Sequence, residues 1–452
     1  MKIVIIGNNV AGTFTAQNIR LLNEEAEIEI FTQEKYPYYT RVRLPELISE
    51  KVSIDDLIVF NEDWYKSKRI KLNLNKRVRR INPKAKTLEL EDMDNIISYD
   101  KLVLALGSTP NIPPIKNAVK FRDENKGLFT LRSIDDCLEI KEFIRKEKAK
   151  NAIVIGGGLL GLELANQINN SGLDTTVVEF FPRLLPRQLD MECGAMLREE
   201  IENKGIKVVL DAATEEILGN GSVTGIRLKG GEVIDADIIL IQAGIRPTIN
   251  LAKDANLDTN KGIVVNEYLE TSEKDIFAVG DCIEYNDQIW GIIPACMEQS
   301  KIVAASVLGL KKVGYLGTIP KNTLKIIGLE LTSIGMIDPS KSTLEQASGG
   351  WDILRKADKK NCCYQKLVLK DNKLKGAILF GDNKAVSYVN NKMEQDVDKN
   401  ELRKLLDLYI YKCQNCGKEY DEAEMDVLFN DLPENFKCPN CNGPKEDFKR
   451  KL

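Results

Sequence analysis

The chain contains no histidine. That absence removes Ser–His and Cys–His nucleophilic pairs, His-ligated zinc and imidazole proton shuttles together, so whatever chemistry occurs proceeds without an imidazole. An excess of one charge is missing too. The 64 Lys and Arg residues against 68 Asp and Glu leave a formal net charge of −4, with no basic surplus to attract nucleic-acid phosphates. No uninterrupted apolar run approaches the length of a bilayer span, so no membrane partner is expected. The opening Met1–Ile6 stretch is cut short at Gly7 and reads as a buried first strand rather than a signal peptide. What is present describes a globular protein: 452 residues, 43% hydrophobic and 29% charged, a length suited to roughly two to four domains. Ten cysteines without a secretory signal point to reduced thiols or metal ligands, and to a cytoplasmic protein.

Two segments repeat one pattern of apolar strand, glycine turn, helix and second strand ending in an acid. The first runs from Lys2 through Gly7-Asn8-Asn9-Val10-Ala11-Gly12 to Ile28–Phe31 and Glu34. The second runs from Ala152–Ile155 through Gly156-Gly157-Gly158-Leu159-Leu160-Gly161 to Thr176–Val178 and Glu179. Both read as βαβ units, and the expected fold class is α/β with two Rossmann-like dinucleotide-binding domains. The glycines let backbone N–H groups approach a pyrophosphate at a helix N-terminus, and the acid accepts ribose hydroxyls. Glu179 would repel a 2′-phosphate, which favours NADH over NADPH. A glycine-rich turn with a purely structural role is the competing reading. In the first copy Asn9 holds the middle glycine position, where Asn is expected to tolerate a left-handed conformation.

Leu102–Ser108 reads as a buried strand turning at Ala105 and Gly107 into a crossover. Asp237–Gly244 repeats that pattern and is expected to lead back to the first domain, and Ile276–Gly280 is a short strand ending at Asp281. Expected boundaries are 1–110 with 237–313 for the first domain and 111–236 for the second. A small α+β domain of alternating strands follows over 314–397, then a charged linker at 398–408, read as a solvated helix or flexible connector. The last piece, 409–452, carries Cys413-Gln-Asn-Cys416 and Cys438-Pro-Asn-Cys441, paired C-x-x-C turns that can build a sulfur tetrahedron for iron or zinc. Cys137, Cys193, Cys282, Cys296, Cys362 and Cys363 lack ligand spacing and are expected as small buried hydrophobes.

Gly7–Gly12, Leu104–Gly107, Gly156–Glu163 and Ala278–Asp281 together resemble the ordered signatures of the FAD-dependent pyridine nucleotide-disulphide oxidoreductase family, over nearly all of residues 1–395. That resemblance implies FAD held by Gly7, Asn9, Gly12, Ala105 and Gly107, with Glu34 at the adenosine ribose and Asp281 near the ribityl or pyrophosphate. It implies NAD(P)H at Gly156, Gly158, Gly161 and Glu179, with Glu163 a candidate beside the nicotinamide, and a C-terminal interface domain. Tyr38–Glu46 contains no redox cysteine, so the chain is similar to the rubredoxin-reductase and nitrite-reductase-like branch. Tyr411–Gly417, Tyr420, Leu432–Glu434, Phe436–Cys441, Lys445 and Phe448 resemble rubredoxin, although the loop between the pairs is short. Asn442 and Phe436 stand where glycine and tryptophan are usual. The implied activity passes electrons from NADH through FAD to a fused Fe(Cys)4 centre with one iron per chain. A downstream redox protein would follow, such as an oxygen-, peroxide- or nitric-oxide-reducing enzyme. The rivals are an NADH oxidase or small-molecule reductase with an accessory metal domain, and a flavoprotein with a zinc-ribbon docking module. A homo-oligomer is compatible with either.

Overall fold

The computed structural model describes residues 1–91, 93–310, 313–326, 328–339 and 350–451. They form two units, one built from Met1–Gly156, Leu164–Thr176 and Ala213–Thr318, the other from Gly157–Glu163, Val177–Ala212 and Ile319–Leu452.

In the first unit, strand β1 (Lys2–Ile6) lies at the centre of a five-stranded parallel sheet. It is flanked by Lys101–Leu104 and then Ile276–Ala278 on one side, and by β2 (Glu27–Phe31) and then Ile70–Asn73 on the other. Ile3, Val4, Ile5 and Ile6 are all buried, as a strand covered on both faces requires. Helix α1 (Val10–Leu22) follows the glycine turn, and its N-cap is Asn9. Asn9 is extended, at φ −117° and ψ −164°, and its side chain accepts from the Val10 N–H at 2.9 Å. The tolerance of a left-handed conformation expected of Asn9 is therefore not called on. The positive φ, +112°, falls on Gly7, and Asn9 caps the helix, a role its short side-chain carbonyl suits.

A second parallel group in this unit contains Asn151–Ile155, Ile238–Ile241 and Leu128–Phe129. Ile238–Ile241 was expected to belong to the first domain, but it pairs along its whole length with Ala152–Ile155 and so extends the second sheet. A run of four buried residues suits the interior of either sheet, and only the register decides between them. The return crossing comes immediately afterwards, where Ile245–Pro247 runs antiparallel to Ser108–Pro110.

The second unit holds a five-stranded antiparallel sheet. Its order is Lys321–Ile326, Leu329–Gly335, Lys373–Phe380, Cys363–Lys370 and Trp351–Asp358. Helix Val386–Lys392 adds Val389 to a core that includes Ile334, Leu354, Leu367, Leu374 and Leu379. Of the two expected forms of the linker, a solvated helix or a flexible connector, the helix is found, and only its solvation is corrected. Lys399–Leu405 is a helix, and Leu402, Leu406 and Leu408 are buried in that same core. Glu401 and Lys404 are exposed, while Leu402 and Leu406, four residues apart, are buried. Leu402→Ala is expected to cost about 2–5 kcal/mol of this unit's stability, read as a lower denaturation midpoint. Among the described residues no helix is long and apolar enough to cross a membrane.

Candidate cofactor sites and metal centre

At the first fingerprint the turn and the helix start touch backbone to backbone. A Cβ on Gly12 would lie 2.0 Å from the Gly7 carbonyl oxygen and 3.3 Å from the Ala105 Cβ. Only glycine at position 12 allows this close approach of helix to strand turn. Asp281 follows Ile276–Ala278 and accepts hydrogen bonds from the Ser108 hydroxyl at 2.8 Å and from Arg132 Nη2 at 3.1 Å. Arg132 also donates to Ser108 Oγ at 2.7 Å. Gly107 has φ +68° and accepts from the Thr248 N–H at 3.0 Å. Glu34 accepts from the Tyr39 hydroxyl at 2.5 Å and from Arg41 Nη2, so both carboxylate oxygens are engaged. Burial, and then the neighbouring Arg41 charge, depress the pKa of Arg132. Asn8 Nδ2 and Arg41 Nε are buried donors without hydrogen-bond partners, and a pyrophosphate would satisfy such groups.

The second fingerprint divides between the units. In the first, Gly156 has φ +118°, and a Cβ there would meet the Gln242 carbonyl oxygen at 2.4 Å. In the second, buried Glu179 accepts from the Gly157 N–H at 2.5 Å and from the Phe181 N–H at 2.9 Å. The acid therefore shapes the loop that would meet the nucleotide. A Cβ on Gly158 would meet nothing within 4 Å. Gly161 and half-buried Glu163 lie on helix Leu159–Asn170. Glu179→Ala is expected to lower the ratio of NADH-driven to NADPH-driven activity, measured by steady-state rates with each nucleotide.

The four C-x-x-C sulfurs converge. Cys413, Cys416, Cys438 and Cys441 place all Sγ atoms within 4.8 Å of one another, with 3.7 Å between Cys413 and Cys441 and 3.6 Å between Cys416 and Cys438. A tetrahedron of metal–sulfur bonds of ~2.3 Å has edges of ~3.8 Å, so the set fits one metal ion. The two turns repeat each other by an approximate twofold. Cys413 N–H donates to Lys418 O as Cys438 N–H does to Gly443 O, and Gly417 N–H donates to Cys413 O as Asn442 N–H does to Cys438 O. Gly417 has φ +78° and Asn442 φ +58°, so Asn442 takes the left-handed place that glycine holds in the first turn.

The Asn440 side chain and the Lys418 N–H bring the Cys416 thiol down to about 6. At Cys441 the Gly443 N–H pulls downward, yet hydrogen bonds with Cys416, Cys413 and Cys438 push the thiol up to about 12. A metal cation replaces these shared protons and holds all four sulfurs as thiolates. Strands Ile410–Cys413, Glu419–Asp421 and Phe448–Arg450 carry the site. Beside it Phe429 stacks on Tyr411 at 4.0 Å and meets Tyr420 and Phe448 at 5.5 and 5.4 Å.

Residues 1–300 match the family model for pyridine nucleotide-disulphide oxidoreductases. The chain belongs to this family. Residues 320–397 match the rubredoxin NAD+ reductase C-terminal domain. The chain is 32% identical over 381 residues to the NADH-rubredoxin oxidoreductase of Clostridium acetobutylicum, covering 84% of this chain and 91% of that one. The solved structure of the NADH:rubredoxin oxidoreductase from Clostridium acetobutylicum matches with a TM-score of 0.67 at 29% identity, over 86% of this chain and 93% of that chain. An NADH oxidase of Methanocaldococcus jannaschii is 34% identical over 348 residues, covering 74% of this chain and 76% of the oxidase. The chain spans about half (48%) the length of two further curated relatives from Bacillus subtilis, a nitrite reductase [NAD(P)H] and an assimilatory nitrate reductase electron transfer subunit.

Within this pyridine nucleotide-disulphide oxidoreductase the structure brings Gly7, Gly12 and Ala105 together, sets Asp281 on Ser108, and converges the four metal-spaced cysteines. Cys282 and Cys296 are buried; burial raises the Cys282 thiol to about 11 and lifts Cys296 as well, which leaves neither a ready nucleophile. Ser108, Arg132 and Phe429 escaped the sequence reading. Arg132 precedes a Ser133–Asp136 capping box, which announces a helix start but no ligand. Phe429 sits among acids and small apolar residues, and only folding reveals it as the centre of the ring cluster.

Proposed function

We propose that this chain takes electrons from NADH, carries them through FAD, and delivers them to an iron held by Cys413, Cys416, Cys438 and Cys441 for a separate redox protein. The observation that carries the reading is a metal-sized sulfur tetrahedron on the same chain as the family's two fingerprints. Bound FAD supplies hydride acceptance and one-electron release, and bound iron a one-electron acceptor. The Gly7–Gly12 turn, Ser108, Arg132 and Asp281 would seat the flavin nucleotide. Gly156, Gly158, Gly161 and Glu179 would seat NADH, with Glu163 beside it, and Glu179 would disfavour a 2′-phosphate. Amide donors on Cys416 and Cys441, together with the aromatic cluster, favour iron over zinc because such hydrogen bonds and burial tune a reducible centre. Ten free cysteines fit a reducing, cytoplasmic setting.

The likeness to an NADH oxidase supports a second reading, with oxygen as acceptor and the metal module an accessory. Anaerobic titration with NADH, followed by visible absorbance, decides between them. The expected result is bleaching of both the yellow flavin and the red iron band, at about one flavin and one iron per chain. A colourless metal centre, or a red band that persists with excess NADH, would overturn the proposal.

A further inference from the structure

Strand Trp351–Asp358 is an edge of the antiparallel sheet, paired with Cys363–Lys370 and, among the described residues, with no strand on its other side. Exposed edges invite strand addition and are commonly covered or charged. Along and just beyond this edge, three side chains reach the segment past residue 397. Asp352 pairs with Lys399 at 2.6 Å, Arg355 with Asp426 at 2.7 Å, and Lys360 with Asp431. The order of partners is the same on both sides.

Between these contacts the helix Lys399–Leu405 faces two ways. Leu402 enters the sheet's core, and Arg403 gives its guanidinium to both oxygens of Asp421 in the metal module, at 2.6 Å each. Those two side chains are only 13% and 17% exposed. Ala423 and Leu428, from the module itself, pack in the same core as Leu402, Leu406 and Leu408. Arg355 also bonds Glu192 on helix Met191–Glu202, with Nη2 3.0 Å from Oε1.

We propose that residues 398–408 are a rigid splint, and that the metal module works while docked on the interface sheet rather than swinging on a tether. The inference rests on the electron-transfer reading above only for its consequence in turnover; the docking itself stands on the packing. Undocking would bring Leu402, Leu406 and Leu408 into water and part a bidentate pair shielded from solvent, costs that a free linker never carries.

Full-length holoprotein with FAD and iron is mixed anaerobically with NADH in a stopped-flow instrument, and compared with a variant carrying Gly-Ser-Gly inserted between Leu402 and Arg403, inside the splint. Lengthening a flexible tether by three residues changes its effective concentration by less than about twofold. A splint loses its register, so iron reduction is expected to slow at least about tenfold while flavin bleaching keeps its rate. An iron reduction rate within about twofold of the unaltered protein would overturn the proposal. Hydrogen exchange on the unaltered holoprotein tests the same point without a variant. The Leu406 and Leu408 amides, bonded to Leu402 O and Arg403 O, are expected to be protected like those of Cys363–Lys370, and exchange at open-chain rates would overturn it. If NADH fails to reduce the iron of the unaltered protein, the electron-transfer reading falls, and the exchange result still decides the splint.

Discussion

Exchanging Cys438 for serine should strip the metal from the chain and unfold the cysteine module, while NADH oxidation with an artificial flavin acceptor survives. Cys438 is fully buried, with its sulfur 3.6 Å from that of Cys416. A serine hydroxyl neither ionises near neutrality nor reaches as far as a thiolate, so one corner of the tetrahedron is lost. Beyond the metal, the module's own buried cluster is Cys413, Phe429, Cys438 and Phe448, too small a core to hold three short strands alone. In small cysteine sites metal binding supplies most of the folding free energy, on the order of 10–16 kcal/mol for structural zinc. Iron content per chain should fall from about one to near zero, and the near-ultraviolet dichroism of the Tyr411–Phe429 stack should vanish with it. Retained iron in the purified variant would refute the ligand assignment.

Gly12→Val should empty the flavin site. The added Cβ falls 2.0 Å from the Gly7 carbonyl oxygen, a backbone atom that cannot swing aside, so strand turn and helix must separate. Overpacking of this kind costs about 1–3 kcal/mol or more, and here it also spoils the approach of the first helical N–H groups to a phosphate. Flavin per chain after gel filtration is expected to drop more than about tenfold, the equivalent of at least 1.4 kcal/mol in binding. Gly158→Ala provides the contrast, because a Cβ there meets nothing within 4 Å, and it should leave flavin content and thermal stability unchanged. Equal flavin retention in the two variants would show that the close approach at Gly12 has no role in binding.

Both βαβ units could be read from the chain because strands buried on two faces carry continuous apolar runs, and because glycines sit where backbone meets backbone. The metal site could be read because a C-x-x-C turn is a local geometry. Partners distant in sequence were harder. Ile238–Ile241 shows the same pattern whichever sheet accepts it, and the register with Ala152–Ile155 has no local signature. Asn9 was read only as tolerant of a left-handed turn, whereas the positive φ falls on Gly7 and Asn9 caps the helix. Around 398–408 the charges masked an inward row of leucines whose destination is the sheet core. Arg132 was invisible for the most general reason: its contact with Asp281 spans 149 positions, and no spacing rule joins them.

The shared core around Leu402 has a practical corollary for portability. Severing the chain ahead of Tyr409 would expose the sites of Ala423 and Leu428 on one fragment and bare the leucine-lined face of the sheet on the other. An unrelated rubredoxin grafted in its place would carry the right sulfurs but no matching surface. The fusion therefore behaves as a co-adapted joint, and any transplant must carry both halves of it.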